Sequence, residues 1–135
     1  MMSKQMLDDL EYVLTGAVIA VHKNLGPGLL ESVYHKCLAH ELDLRELQYT
    51  SQLTIQIPYK GVTIDAELRP DFVVEDCTII EIKAVEAILP IHEAQLLTYM
   101  KLLEIPKGLL VNFNCTNTIK SGKKAFVNEY YRQLL

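Results

Sequence analysis

"RPDFVVEDCTIIEIKAVEAI", residues 69–88, decides the fold, because it sets two charges inside what reads as a buried strand. The run "CTIIEIKAV" is β-branched and apolar in the manner of a strand covered on both faces. Glu81 and Lys83 interrupt it two residues apart. Side chains alternate along a strand, so Glu81 and Lys83 share one face while Ile80, Ile82 and Ala84 share the other. "DFVVED" reads as the preceding strand, with a tight turn near Glu75–Asp76 between the two. The same alternation groups Asp71 with Val73 and Glu75, and if the strands are neighbours, Asp71 and Glu81 converge at a strand end.

Around this pair the chain reads as alternating helices and strands. Leu7, Leu10, Leu14, Ala17, Val18 and Val21 recur at helical spacing and predict a helix over 5–24. "NLGPGLL" breaks it, and a second helix is expected over about 29–45, with Leu30, Val33, Tyr34, Cys37, Leu38 and Leu42 inward. "LTIQIPY" (53–59) and "VTIDAEL" (62–68) alternate around Lys60–Gly61 as a hairpin. "LPIHEAQLLTYMKLLE" (89–104) is helical, with Pro90 tolerated in the first turn, and "KGLLVNFN" (107–114) is an apolar strand. From Ile119 onward a strand, a helix, or both in turn fit equally. Three antiparallel strands, a helix and a returning strand describe a mixed α/β sheet with helices on its faces. With no internal repeat or linker, residues 1–135 are expected to be one domain.

Composition narrows the setting. Half of the residues are hydrophobic and 22% are charged, which fits a globular chain rather than a disordered one. "MMSKQMLDDL" has no apolar run of signal-peptide type, and no segment is apolar for long enough to span a bilayer. Cys37, Cys77 and Cys115 form no C-x-x-C pair, which argues against a zinc ribbon or a disulfide framework and for a cytoplasmic setting. The net charge of −4 excludes a broad nucleic-acid-coating surface. Its distribution is uneven: seven basic against fifteen acidic residues over 1–100, and six against two over 101–135. Within that basic tail Lys120, Lys123 and Lys124 are candidates to contact phosphates, and a solvated face is the equal alternative.

Two carboxylates brought together repel unless a positive charge lies between them. Oxygen ligands from Asp71, Glu81 and a backbone carbonyl suit Mg²⁺ or Mn²⁺. Lys83 beside them is placed to hold an attacking water or a negative charge developing on phosphorus. The bland alternative is a surface ion pair on a partly exposed strand.

Pro70-Asp71 followed by Glu81-x-Lys83 resembles the PD-(D/E)XK nuclease superfamily. Gly28-Leu29-Leu30-Glu31-Ser32-Val33-Tyr34 reads G-x-x-E-x-x-Y, the signature of its small GxxExxY branch. "GPGLLESVYHKCLAHEL", "YKG", "RPDFVVED", "IIEIKAVEAI", "IHEAQLLTYMKL" and "GLLVNFN" are similar to that family's blocks, in order, over roughly residues 13–127. Asn114 departs from it, standing where the family often has glycine. The resemblance implies a restriction-endonuclease-like fold and metal-assisted hydrolysis of phosphodiester bonds, with DNA as the expected substrate. It implies that Asp71, Glu81 and the Ile82 carbonyl hold the metal, with Glu31 assisting from the helix. An acid in a helix's first turn is also favoured by the helix dipole alone. Gln95-x-x-x-Tyr99 resembles the third motif of RecB-type exonuclease domains, which would let Gln95 and Tyr99 orient Lys83 or a phosphate. A backbone-satisfied Gln and a half-buried Tyr fit those positions equally well. His22, His35 and His40 lack metal-motif spacing and are read as structural or surface residues. The rival reading is a non-catalytic nucleic-acid-binding or regulatory module of the same fold. A homodimer, or a partner protein that supplies substrate binding, is compatible with either.

Overall fold

The computed structural model describes residues 2–51, 53–117 and 121–135. Two helices come first, α1 (Lys4–Leu25) and α2 (Glu31–Leu44), followed by strands β1 (Tyr49–Thr50), β2 (Leu53–Tyr59), β3 (Val62–Leu68), β4 (Phe72–Val74) and β5 (Thr78–Lys83). Then come α3 (Pro90–Leu103), β6 (Lys107–Asn112), β7 (Lys123–Val127) and α4 (Glu129–Arg132). Five strands form one sheet in the order β1-β4-β5-β6-β7. Among the described strand pairs only β5–β6 is parallel, and α3 makes the crossover between them.

The hairpin of β2 and β3 is a separate two-stranded sheet rather than part of the main one. The place beside β4 is taken instead by β1, which pairs Tyr49 with Val74 and Thr50 with Val73. The ambiguous tail resolves as a strand and then a short helix capped by Asn128, whose side chain accepts from the amides of Tyr130 and Tyr131.

Alternation along the central strands builds two cores, one on each face. Ile80 and Ile82 join Phe72, Leu109 and Val111 beneath Leu14, Val18 and Val21 of α1 and Tyr34, Leu38 and Leu42 of α2. Ile79 joins Val73 and Leu110 beneath Leu96 and Met100 of α3. That helix lies close on β6, since a Cβ at Gly108 would stand 2.7 Å from Met100 Sδ. Two joints position the site. At the loop before α2, the buried Tyr34 hydroxyl donates to the Gly26 carbonyl (2.6 Å) and accepts from the Leu29 amide (3.2 Å). At the exit of β5, the Phe113 amide bonds the Lys83 carbonyl (2.9 Å), and Asn112 holds both the amide and the carbonyl of Val85. Asn114 adds a bond to the same Val85 carbonyl.

Candidate active site

Antiparallel pairing sets Phe72 against Ile80, so Asp71 enters β4 where Glu81 leaves it on β5. Glu75 and Asp76, both at positive φ, close the turn at the far end and fix this register. The two acids are interlocked. The Asp71 amide donates to Glu81 Oε1 (3.0 Å), and the Ile82 amide donates to Asp71 Oδ2 (2.7 Å). Ser51 Oγ holds the Asp71 carbonyl (3.0 Å). Glu81 is only 5% exposed.

Burial dominates the electrostatics. It pushes the Glu81 carboxyl up, with the Asp71 charge adding to it, to about 7. Asp71 is raised by burial, against the Ile82 hydrogen bond and the charges of His35 and Lys83. Glu31, the first residue of α2, is raised by partial burial and by Asp71, while Lys83, His35 and His92 pull it back. Glu31, Asp71, Glu81 and Lys83 therefore share one electrostatic field, although Lys83 makes no direct ion pair among the described residues.

His35, one turn along α2 from Glu31, also belongs here. Its Nε2 stands 3.8 Å from Asp71 Oδ1, and its ring stacks on Phe72 at 4.4 Å. Reading the histidines only for metal-motif spacing misses it; the i, i+4 relation to Glu31 is the signal that finds it. His92 lies in the first turn of α3, where Nδ1 accepts from the Leu89 amide (3.0 Å) and caps the helix.

The other expected residues are bonded elsewhere. Gln95 Nε2 bonds Tyr99 Oη at 3.4 Å, and no described bond joins either to Asp71, Glu81 or Lys83. Tyr99 packs on the α3 core. Lys123 Nζ bonds Glu11 (2.8 Å) and Thr15 (2.9 Å) toward α1, whereas Lys124 Nζ meets Glu93 (3.2 Å) toward α3. Adjacent residues of a strand face opposite ways, so these two lysines do not make one patch. Lys120 lies outside the described residues.

The donor set is hard oxygen, and a cation between Asp71 and Glu81 would offset the burial that raises both carboxyls and the Asp71 charge that adds to it at Glu81. Among the described residues no three His, Cys, Asp or Glu side chains gather closely enough to hold an ion by themselves.

A mixed sheet with two acids at the end of neighbouring central strands, and a lysine two residues beyond the second, defines a restriction-endonuclease-like fold. A model of the PD-(D/E)XK nuclease superfamily matches residues 8–125, most of the chain, and the protein belongs to that superfamily. It is a superfamily of nucleases. No curated protein matches the chain. Among solved structures, one described as "Crystal structure of SSO0001" is similar at 20% identity with a TM-score of 0.57. The match covers 76% of this chain and 55% of that one, and at this identity it speaks for the fold. The chain thus spans about half the length of that structure. Among the described residues no helix is long and apolar enough to cross a membrane.

Proposed function

We propose that this chain is a metal-dependent nuclease of the GxxExxY branch, a single cytoplasmic domain that hydrolyses phosphodiester bonds, with DNA as the first substrate to try. The observation that carries the reading is the buried, interlocked pair Asp71–Glu81, with Lys83 and Glu31 in the same field. Asp71, Glu81 and the Ile82 carbonyl would hold Mg²⁺ or Mn²⁺, with Glu31 assisting. When bound, the cation supplies positive charge against the scissile phosphate and lowers the pKa of a coordinated water.

The chain's own residues do the rest. Lys83, at the clamped end of β5, orients the attacking water and offsets negative charge developing on phosphorus. Asp71 and Glu81 each have one oxygen held by a backbone amide through the reaction. Gln95 and Tyr99 would act on the same face by orienting Lys83 or a phosphate. Lys120, Lys123 and Lys124 would contact the backbone of the substrate, with Lys124 leaving Glu93 to do so.

A non-catalytic nucleic-acid-binding module is the second reading. It draws support from Lys123 and Lys124 being engaged by carboxylates and from the net charge of −4. A homodimer or a partner protein would then supply the grip. Incubating purified protein with labelled single- and double-stranded DNA and RNA, with Mg²⁺, Mn²⁺ or EDTA, separates the two. The nuclease reading expects metal-dependent cleavage that is lost in Lys83→Ala. Binding without cleavage under every metal condition would favour the module.

A further inference from the structure

We propose that His35 is a positioning residue that fixes the Asp71 carboxylate for cation binding, a role that rests on the nuclease reading of the site. The two oxygens of Asp71 face different partners. Oδ2 is bonded to the Ile82 amide at 2.7 Å, which ties that one oxygen to β5. Oδ1 faces His35 Nε2 at 3.8 Å, at ion-pair range. Hydrogen bonds in unliganded catalytic sites are often long and tighten once the site is filled.

The imidazole is itself held. It stacks on the fully buried Phe72 at 4.4 Å and 20°, and Tyr49 of β1 meets Phe72 edge-on at 5.1 Å. Tyr49, Phe72, His35 and Asp71 therefore form a continuous row from the sheet edge to the site. Phe72 is the chain neighbour of Asp71, so the surface that seats the ring moves with the carboxylate it faces. Helix α2 supplies both Glu31 and His35 from one side, as expected for groups four residues apart. The plain alternative is that the ring merely packs on Phe72.

Two substitutions separate these. His35→Phe keeps the stack and removes the nitrogen; His35→Gln keeps an N–H donor and gives up most of the stack. The readouts are the Ile82 backbone amide resonance in metal-free protein, the Mn²⁺ dissociation constant by calorimetry, and the melting temperature. His35→Phe should melt as the native protein does, move the Ile82 resonance toward its position in Asp71→Ala, and weaken Mn²⁺ about tenfold or more, as outer partners of metal ligands commonly do. His35→Gln should recover part of both losses. An unmoved Ile82 resonance with unchanged Mn²⁺ affinity in His35→Phe overturns the proposal, as does a Gln variant no better than Phe. Native protein that neither binds Mn²⁺ nor cleaves would instead refute the nuclease reading. The metal-free Ile82 resonance then decides the role of His35 alone, in its favour if moved and against it if not.

Discussion

Burial and the neighbouring Asp71 charge hold the Glu81 carboxyl near 7, so the folded chain keeps this proton more tightly than the unfolded chain does. For a raised carboxyl the sign is fixed: its favourable contribution is complete below the ordinary value and is lost as pH rises to the folded one. In metal-free buffer this glutamate should therefore remove about 3 kcal/mol of stability, as an order of magnitude, as pH rises from about 4.5 to about 7. Asp71 and Glu31 are raised as well and act in the same direction. Glu81→Gln should flatten the decline, and urea melts of both proteins across this pH range check it. An equal decline in the two proteins would mean that the Glu81 charge is not strained. Millimolar Mn²⁺ should offset the decline in the native protein by mass action and leave Glu81→Gln little changed.

Helix α2 depends on the loop before it, and Tyr34 joins the two: its ring stacks on Phe113 at 4.6 Å while its hydroxyl holds the loop backbone. Tyr34→Phe should cost about 1 kcal/mol, because a partly buried carbonyl and a loop amide lose their partner, and loosen the delivery of Glu31. Thermal melting and cleavage rate should fall together; a Phe variant with native stability would show that the hydroxyl is dispensable. This tyrosine was legible as core from its place on the apolar stripe, though the bonds of its hydroxyl to the loop were not. The long elements were legible because period alone specifies them, and Asp71, Glu81 and Lys83 were legible because strand alternation is local. β1 was not, since two residues carry no period and Tyr49–Thr50 is a strand only because β4 has a free edge. The independence of the β2–β3 hairpin follows from that same occupied edge. His35 was missed because its significance comes from Phe72 and Asp71, which the sheet brings to it.

Across the whole molecule, Lys107 ties the N-terminal helix to the sheet. Although almost fully buried in β6, it meets Asp8 at 2.9 Å and Glu11 at 2.6 Å, and Lys123 joins through Glu11. A sequence reading sees only a lysine opening an apolar strand, because its partners lie near the other end of the chain. Lys107's hydrogen bond holds the Asp8 carboxyl low; Glu11, which burial would raise, is held low by bonds from Lys107 and Lys123. Their contribution is present above the ordinary carboxylate values and is lost as pH falls below them, the opposite limb from Glu81. Lys107→Met should lower the melting temperature by on the order of 5 °C at pH 6 and flatten the acid limb; an unchanged acid limb would contradict the assignment. For substrate approach, Lys124 is more exposed than Lys123. If it contacts a phosphate, Lys124→Gln should flatten log affinity against log salt by about 0.9 on duplex DNA. An unchanged slope would move the grip to a partner protein. The central claim, that Asp71 and Glu81 hold the cation while Lys83 serves the chemistry, is tested most directly by titrating Mn²⁺ calorimetrically into native protein, Asp71→Ala, Glu81→Ala and Lys83→Ala. Lys83→Ala should bind as the native protein does yet cleave nothing, and both acid variants should lose binding. Equal Mn²⁺ binding by all four proteins would contradict the account.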